Sequence, residues 1–227
     1  MTHQTAEEVR QKHIECMGEE LGELFFLLKQ EILRLYLQWN EYANAFGDKE
    51  SRVELLNRVA GGFARSIQDA LWADVLLGLT RLTDPPQTGK KTNLAVTRLL
   101  DLVKDELKEP VAELVEKAVA ATEFARDWRN RYLAHRDLAH AQDSSAKPLA
   151  AASRKLVREA LEAIVAVMHA VEGSYENSTT MYSESKYSNG IVGLLYVLDD
   201  GVRFDQQRRK RLKNGESLPD DFAAKDL

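Results

Sequence analysis

Four arginines, one histidine and two aspartates fall within twelve residues, Arg126-Asp-Trp-Arg-Asn-Arg-Tyr-Leu-Ala-His135-Arg-Asp137. They follow a stretch whose Leu114, Val115, Ala118, Val119, Thr122 and Ala125 recur with helical spacing. A helix packed inside a bundle has no use for so many guanidinium groups in about three turns. Guanidinium is planar, permanently charged and able to grip two phosphate oxygens at once. Imidazole titrates near neutrality and can take up or release a proton. An arginine that holds a phosphate and a histidine that moves a proton are the parts needed to cleave a phosphodiester without a metal ion.

Helix geometry constrains how these parts meet. Arg131 and His135 are four residues apart and share a face. Arg129 and His135 are six apart, which in an unbroken helix means about 9 Å along the axis and roughly 120° around it. A common site therefore requires the helix to bend or end near His135, or a second chain to complete it. A purely structural reading accounts for the same residues: His135 sits at a helix C-terminus and offsets its dipole, while Arg126, Arg129 and Arg131 pair with Glu123, Asp127 or Asp137 on the surface. The residue types alone leave both readings open.

The elements around this stretch all carry helical periodicity. Leu21, Leu24, Phe25, Leu28, Ile32 and Leu35 form an apolar stripe within one helix expected from Ala6 to Phe46. Ser51 and Glu54 match a capping box, opening a second helix to about Thr83 along Leu55, Val59, Phe63, Ile67, Leu71, Val75 and Leu79. Asp84-Pro85-Pro86 ends it, since neither proline donates a backbone hydrogen bond. Residues 87–93 read as a loop. Thr92 or Asn93 is placed to cap a short helix through Lys104, and Glu109-Pro110 to open the next. Lys155 to Val171 is helical, residues 173–190 form a long polar connection, and Ile191, Leu194, Leu195, Leu198 and Val202 mark a last helix. No run alternates with period two, and no internal repeat is found. The fold class is all-α: four to five long helices in one bundle domain over residues 1–213, followed by a polar tail, 214–227, expected to be flexible.

Arg129-Asn130 followed by His135 resembles the signature of the HEPN superfamily, in which an arginine and a polar residue precede a histidine by a short spacer. The context Arg-Asn-Arg-Tyr-Leu-Ala-His-Arg-Asp is most similar to the abortive-infection, AbiU-like branch. Arg81-Leu-Thr-Asp84-Pro85 and Leu195-Tyr-Val-Leu198 extend the likeness over roughly residues 20–210. The resemblance implies a helical bundle that pairs two copies of the motif across one cleft. It also implies a metal-independent endoribonuclease in phage defence or a toxin–antitoxin-like system, or else a catalytically silent module that binds nucleic acid or protein. On that basis Arg129, Asn130 and His135 are the expected catalytic residues and Arg126, Arg131 and Arg136 the expected substrate-binding ones. RNA, a second copy of the chain and an antitoxin or defence protein are the expected partners. No cofactor is expected. Trp128 and Tyr132 are suited to anchor a twofold interface near residues 126–136.

Other residues carry less. His13, Cys16 and His169 read as structural, and His140 has no companions at metal-ligating spacing. Trp39, Trp72 and Trp128 read as core or interface anchors. Gly61-Gly62 suggests close helix packing, not a phosphate loop. A single cysteine among 227 residues leaves no internal disulfide framework. The polar, acidic start has no signal-peptide character, and no window is long and apolar enough for a transmembrane helix, so a cytoplasmic location is expected. The formal net charge of −5 gives no global attraction to nucleic acid. Locally, residues 203–213 set six basic side chains against one acid, and residues 1–50 set ten acids against five bases.

Overall fold

The computed structural model describes residues 5–47, 49–134, 148–176, 178–184, 186–187 and 189–222. Among them are eight α-helices: α1 (Ala6–Met17), α2 (Glu19–Phe46), α3 (Glu50–Leu82), α4 (Leu99–Leu102), α5 (Asp105–Ala121), α6 (Glu123–Trp128), α7 (Arg154–Glu176) and α8 (Ile191–Lys213). The described β-structure is a two-stranded ribbon pairing Gln87 with Thr92 and Thr88 with Lys91. The fold is all-α, as the periodicity predicts.

Several boundaries move from their expected places. The helix expected from Ala6 to Phe46 is broken at Gly18, whose φ of +87° suits a residue without Cβ. Thr5 and Glu8 form a capping box at the start of α1. Ser51 is not the N-cap of α3, because the helix begins at Glu50. Helix α5 starts before Pro110 and carries it inside, giving up one backbone bond. Gly61 and Gly62 meet no close neighbour; the irregularity lies at Ala60, where φ −156° and ψ 58° kink α3. Among the described residues the two glycines do not mark the close helix packing expected of them.

The chain forms two compact units. The larger comprises Met1–Asn40 and Asp69–Lys186. Its core is set by Phe25, Leu28, Ile32 and Leu35 of α2, Val75, Leu76 and Leu79 of α3, and Leu161, Ile164 and Met168 of α7, all fully buried. Helix α5 packs along α7. Gly78 lets α3 approach Leu35 so closely that an added Cβ would lie 2.6 Å from the Leu35 side chain. Tyr182 lies in the expected polar connection yet is buried against Tyr36 and His169, and burial pushes its phenol pKa well up. Burial likewise raises Tyr36, to about 12. His13 is buried and hydrogen-bonds Glu176, so its structural reading fits its surroundings.

The smaller unit comprises Glu41–Gln68 and Tyr187–Leu227. Ala45, Leu56, Ala64 and Leu195 form its core, with Phe46, Leu55, Ile191 and Leu198 packed at the edge. The stripe along α3 is buried only in its later half: Val59, Phe63 and Ile67 are exposed, whereas Val75 and Leu79 are not. Residues after Lys213 fold back, as Asp221 accepts hydrogen bonds from the Arg211 guanidinium and the Leu218 amide, both at 2.8 Å.

Candidate active site

The end of α3 and the end of α6 build the site. Helix α3 stops at Leu82 because two prolines follow Asp84. Thr83 and Thr122 are both buried and share a 2.8 Å hydroxyl hydrogen bond, which ties that end to the start of α6. The Thr97 hydroxyl donates to the Asp84 carbonyl at 2.6 Å, fixing the turn.

Arg126 and Arg129 are three residues apart and share a helix face. Both reach Asp84. Arg126 Nη1 donates to Asp84 Oδ1 at 2.7 Å, and its Nη2 donates to the Thr83 carbonyl and hydroxyl. Arg129 Nη1 donates to both Asp84 oxygens, at 2.8 and 3.0 Å. Arg129 Nε donates to the Asn130 side-chain oxygen at 3.2 Å. Two guanidinium groups thus share the Asp84 carboxylate, and Glu123 lies 3.5 Å from Arg126 Nε at the edge of the cluster.

Arg131 lies on another face. It donates to both oxygens of Asp127 at 3.3 Å and to the Pro148 carbonyl at 3.2 Å. Asp127 also accepts from the Ala150 amide, and Trp128 Nε1 donates to the Ala150 carbonyl, each at 2.8 Å. This face fastens residues 148–150 to α6. Arg126, Arg129 and Asn130 are therefore gathered together, whereas Arg131 stands apart from them. His135, Arg136 and His140 lie outside the described residues. Arg81 is directed to Asp74, 3.6 Å away, not to the arginine cluster.

From Arg129 the backbone leaves α-helical winding. Residues Arg129–Leu133 form a π turn, with the Ala134 amide bonded to the Arg129 carbonyl at 2.8 Å. Such turns widen the helix and recur at functional sites. Here the widening begins at the arginine of the motif, so the six-residue arithmetic of a regular helix does not hold beyond it. The AbiU2 family of HEPN domains matches residues 18–191. The chain belongs to this HEPN family. No curated protein and no solved structure matches it.

The HEPN match contains Asp84, Arg126, Arg129, Asn130 and His135. Sequence reasoning placed Asp84 only at a helix end, within the Arg81–Pro85 stretch that shares the family likeness. What it missed was the Thr83–Thr122 tie and the Thr97 contact, since nothing in a threonine's local sequence marks a partner far along the chain. The one available signal was the aspartate itself, set directly before two prolines.

Proposed function

We propose that this HEPN protein is a metal-independent endoribonuclease acting in phage defence or a toxin–antitoxin-like stress system. The observation that supports it is the convergence of Arg126 and Arg129 on Asp84, with Asn130 beside them at the start of a π turn. In this reading Arg129, helped by Asn130, binds the scissile phosphate and stabilises the charge that builds on it. His135 takes the proton from the ribose 2′-hydroxyl or supplies one to the leaving oxygen. The 2′-oxygen bonds to phosphorus, the bond from phosphorus to the 5′-oxygen breaks, and that oxygen leaves protonated. The products are a 2′,3′-cyclic phosphate and a 5′-hydroxyl. Arg126, Arg131 and Arg136 add positive charge along the bound strand.

The chain acts as a homodimer in this reading, with a twofold axis near residues 126–136 that sets two motifs across one groove. Tyr132 supports that arrangement, being an exposed aromatic edge-on to Trp128. We place the protein in the cytoplasm, where RNA is met. Incubation with mixed RNA in the presence of EDTA tests the activity. Cleavage that disappears in His135→Ala and Arg129→Ala supports it; no cleavage by the parent, or equal cleavage by His135→Ala, overturns it.

A second reading rests on Asp84, which already occupies Arg129 with both oxygens. In that case the chain is a catalytically silent module that binds nucleic acid or a partner protein. RNA binding by the parent without turnover, retained in His135→Ala, distinguishes it.

A further inference from the structure

In the larger unit, α2 and α7 leave a cavity of about 360 Å³ between them, roofed by residues 180–183. Along α7 it is lined by Arg158, Glu162, Val165 and His169, whose spacings of four, three and four make one stripe. Tyr36 of α2 and Tyr182 of the roof, stacked 6.4 Å apart, give it an aromatic wall. The roof is fixed in place. Buried Glu172 accepts from the Thr180 amide at 2.8 Å and from its hydroxyl at 2.5 Å, and Asn40 donates to the Ser183 carbonyl at 3.3 Å. His169 Nε2 lies 2.9 Å from the Thr180 carbonyl, which can only accept, so Nε2 carries the hydrogen. In the neutral ring Nδ1 is then an acceptor, and it has no partner among the described residues.

At one end of the stripe Arg158 and Glu162 are both exposed, and neither forms an ion pair among the described residues. One turn apart, they set a positive and a negative charge side by side. An anion alone is drawn to Arg158 but repelled by Glu162, and a cation alone the reverse. A small zwitterion whose two charges are adjacent satisfies both. From Glu162 the stripe runs past Val165 to His169, about 10 Å along the helix axis. That is the reach of an aromatic side chain with a hydrogen bond at its far end. We propose that this cavity binds a free aromatic α-amino acid whose ring carries a hydrogen-bond donor, as in tyrosine or tryptophan. Arg158 takes the α-carboxylate with two parallel N–H bonds, and Glu162 takes the α-ammonium. The ring lies over Val165 against Tyr36 and Tyr182, and His169 Nδ1 accepts from the phenol or indole. The volume is at the small end of ligand cavities, about 300–1,000 Å³, which suits a single amino acid. None of these residues takes part in the proposed RNA cleavage, so the two readings stand or fall separately.

The experiment is isothermal titration calorimetry of the full chain with L-tyrosine, L-tryptophan, L-phenylalanine and tryptamine, on the parent, Arg158→Ala and Glu162→Gln. Both substituted side chains are exposed, and far-ultraviolet circular dichroism confirms that the variants fold. The parent is expected to bind tyrosine or tryptophan, one molecule per chain. Phenylalanine lacks the ring donor and tryptamine lacks the carboxylate, so each should bind at least about tenfold more weakly. Arg158→Ala should weaken the amino acids by about tenfold or more but tryptamine little, since tryptamine offers it no carboxylate to hold. Glu162→Gln should weaken tryptamine and the amino acids alike. No binding of any of these ligands by the parent at millimolar concentration overturns the site. Binding that both variants retain overturns it too, as does tryptamine matching tryptophan. A mononucleotide that binds in place of the amino acids, and is lost in Arg158→Ala, overturns the assignment in favour of a phosphate ligand.

Discussion

The larger unit hides its apolar side chains, whereas the smaller one shows many of them. In the larger, Phe25, Leu28, Ile32, Leu35, Val75, Leu79 and Ile164 have no exposed surface, and two buried carboxylates are held by hydrogen bonds. Glu172 accepts from the Thr180 amide and hydroxyl, and Glu176 from His13 and Lys12. In the smaller, two of the four core residues are alanines, and Val59, Phe63, Val197 and Phe204 face outward. Phe63 alone is 68% exposed. The difference follows from how many helices surround each stripe. Where α2, the later half of α3, α5 and α7 meet, an apolar face has neighbours on several sides. Where only the first half of α3, the end of α2 and α8 meet, one face of each helix is left over. An unspent apolar face is a binding resource, and a filled core is a rigid platform. The arginine cluster is built on the platform.

Truncation inside the larger core should break the comparison most strongly. Leu79→Ala or Ile164→Ala is expected to cost about 2–5 kcal/mol in chemical denaturation, because each leaves a cavity among packed neighbours. Phe63→Ser in the smaller unit should cost under about 1 kcal/mol, because water already reaches that ring. Comparable losses at the two positions would mean that Phe63 is covered in solution.

Next comes the charged anchor of the platform. Asp84→Ala removes the carboxylate that Arg126 and Arg129 share, leaving Arg126 only its longer contact with Glu123, and should cost about 1–3 kcal/mol. RNA cleavage should fall in parallel, since Arg129 loses the contact that aims it. Arg131→Ala, which removes the ties to Asp127 and Pro148, should leave cleavage much closer to the parent's. Equal losses in the two variants would show that the faces of α6 are not functionally separate.

Acid should weaken the larger unit through Glu176. Burial alone would raise the pKa of this carboxyl, but its hydrogen bonds to His13 and Lys12 outweigh burial and hold it below the ordinary glutamate value. A depressed carboxylate adds stability that is complete above its unfolded-state pKa and is lost as pH falls through the folded one. Thermal melting followed from neutral pH into the acid range should therefore show a decline that is shallower in Glu176→Gln. An identical slope in both proteins would remove Glu176 from the account.

The smallest effect is expected on the exposed side of α8. Arg203 pairs with Asp199 at 2.7 Å, but both side chains are well exposed. Arg203→Ala should change stability by less than about 0.5 kcal/mol. A larger loss would indicate that this pair is shielded from water in solution.

Much of this architecture was legible from residue order. The stripe from Leu21 to Leu35, the stop at Asp84-Pro85-Pro86 and the last helix from Ile191 each reflect interactions within a few residues along the chain. Those are the interactions that periodicity, capping and proline geometry report. The misplaced boundaries have tertiary causes or depend on one backbone angle. Gly18 breaks α1 from α2 by adopting a positive φ, although the apolar pattern continues across it. Tyr182 is drawn into the core from a polar segment by Tyr36 and His169.

The sequence by itself determined that the chain is helical, that it belongs with HEPN proteins, and that Arg126, Arg129, Asn130, Arg131, His135 and Arg136 crowd one short stretch. Residue types and local spacing are enough for that. Tertiary structure decided which of the described arginines act together. Arg126 and Arg129 converge on Asp84, 42 and 45 positions away in sequence, and Arg131 turns to Asp127 and Pro148. It also decided that the helix widens into a π turn at Arg129, and that Val59 and Phe63 stay in water while Val75 and Leu79 do not. The physical reason is common to all three. A side chain's charge partner, its winding and its burial depend on what arrives beside it in space, and helical periodicity says only which way it points.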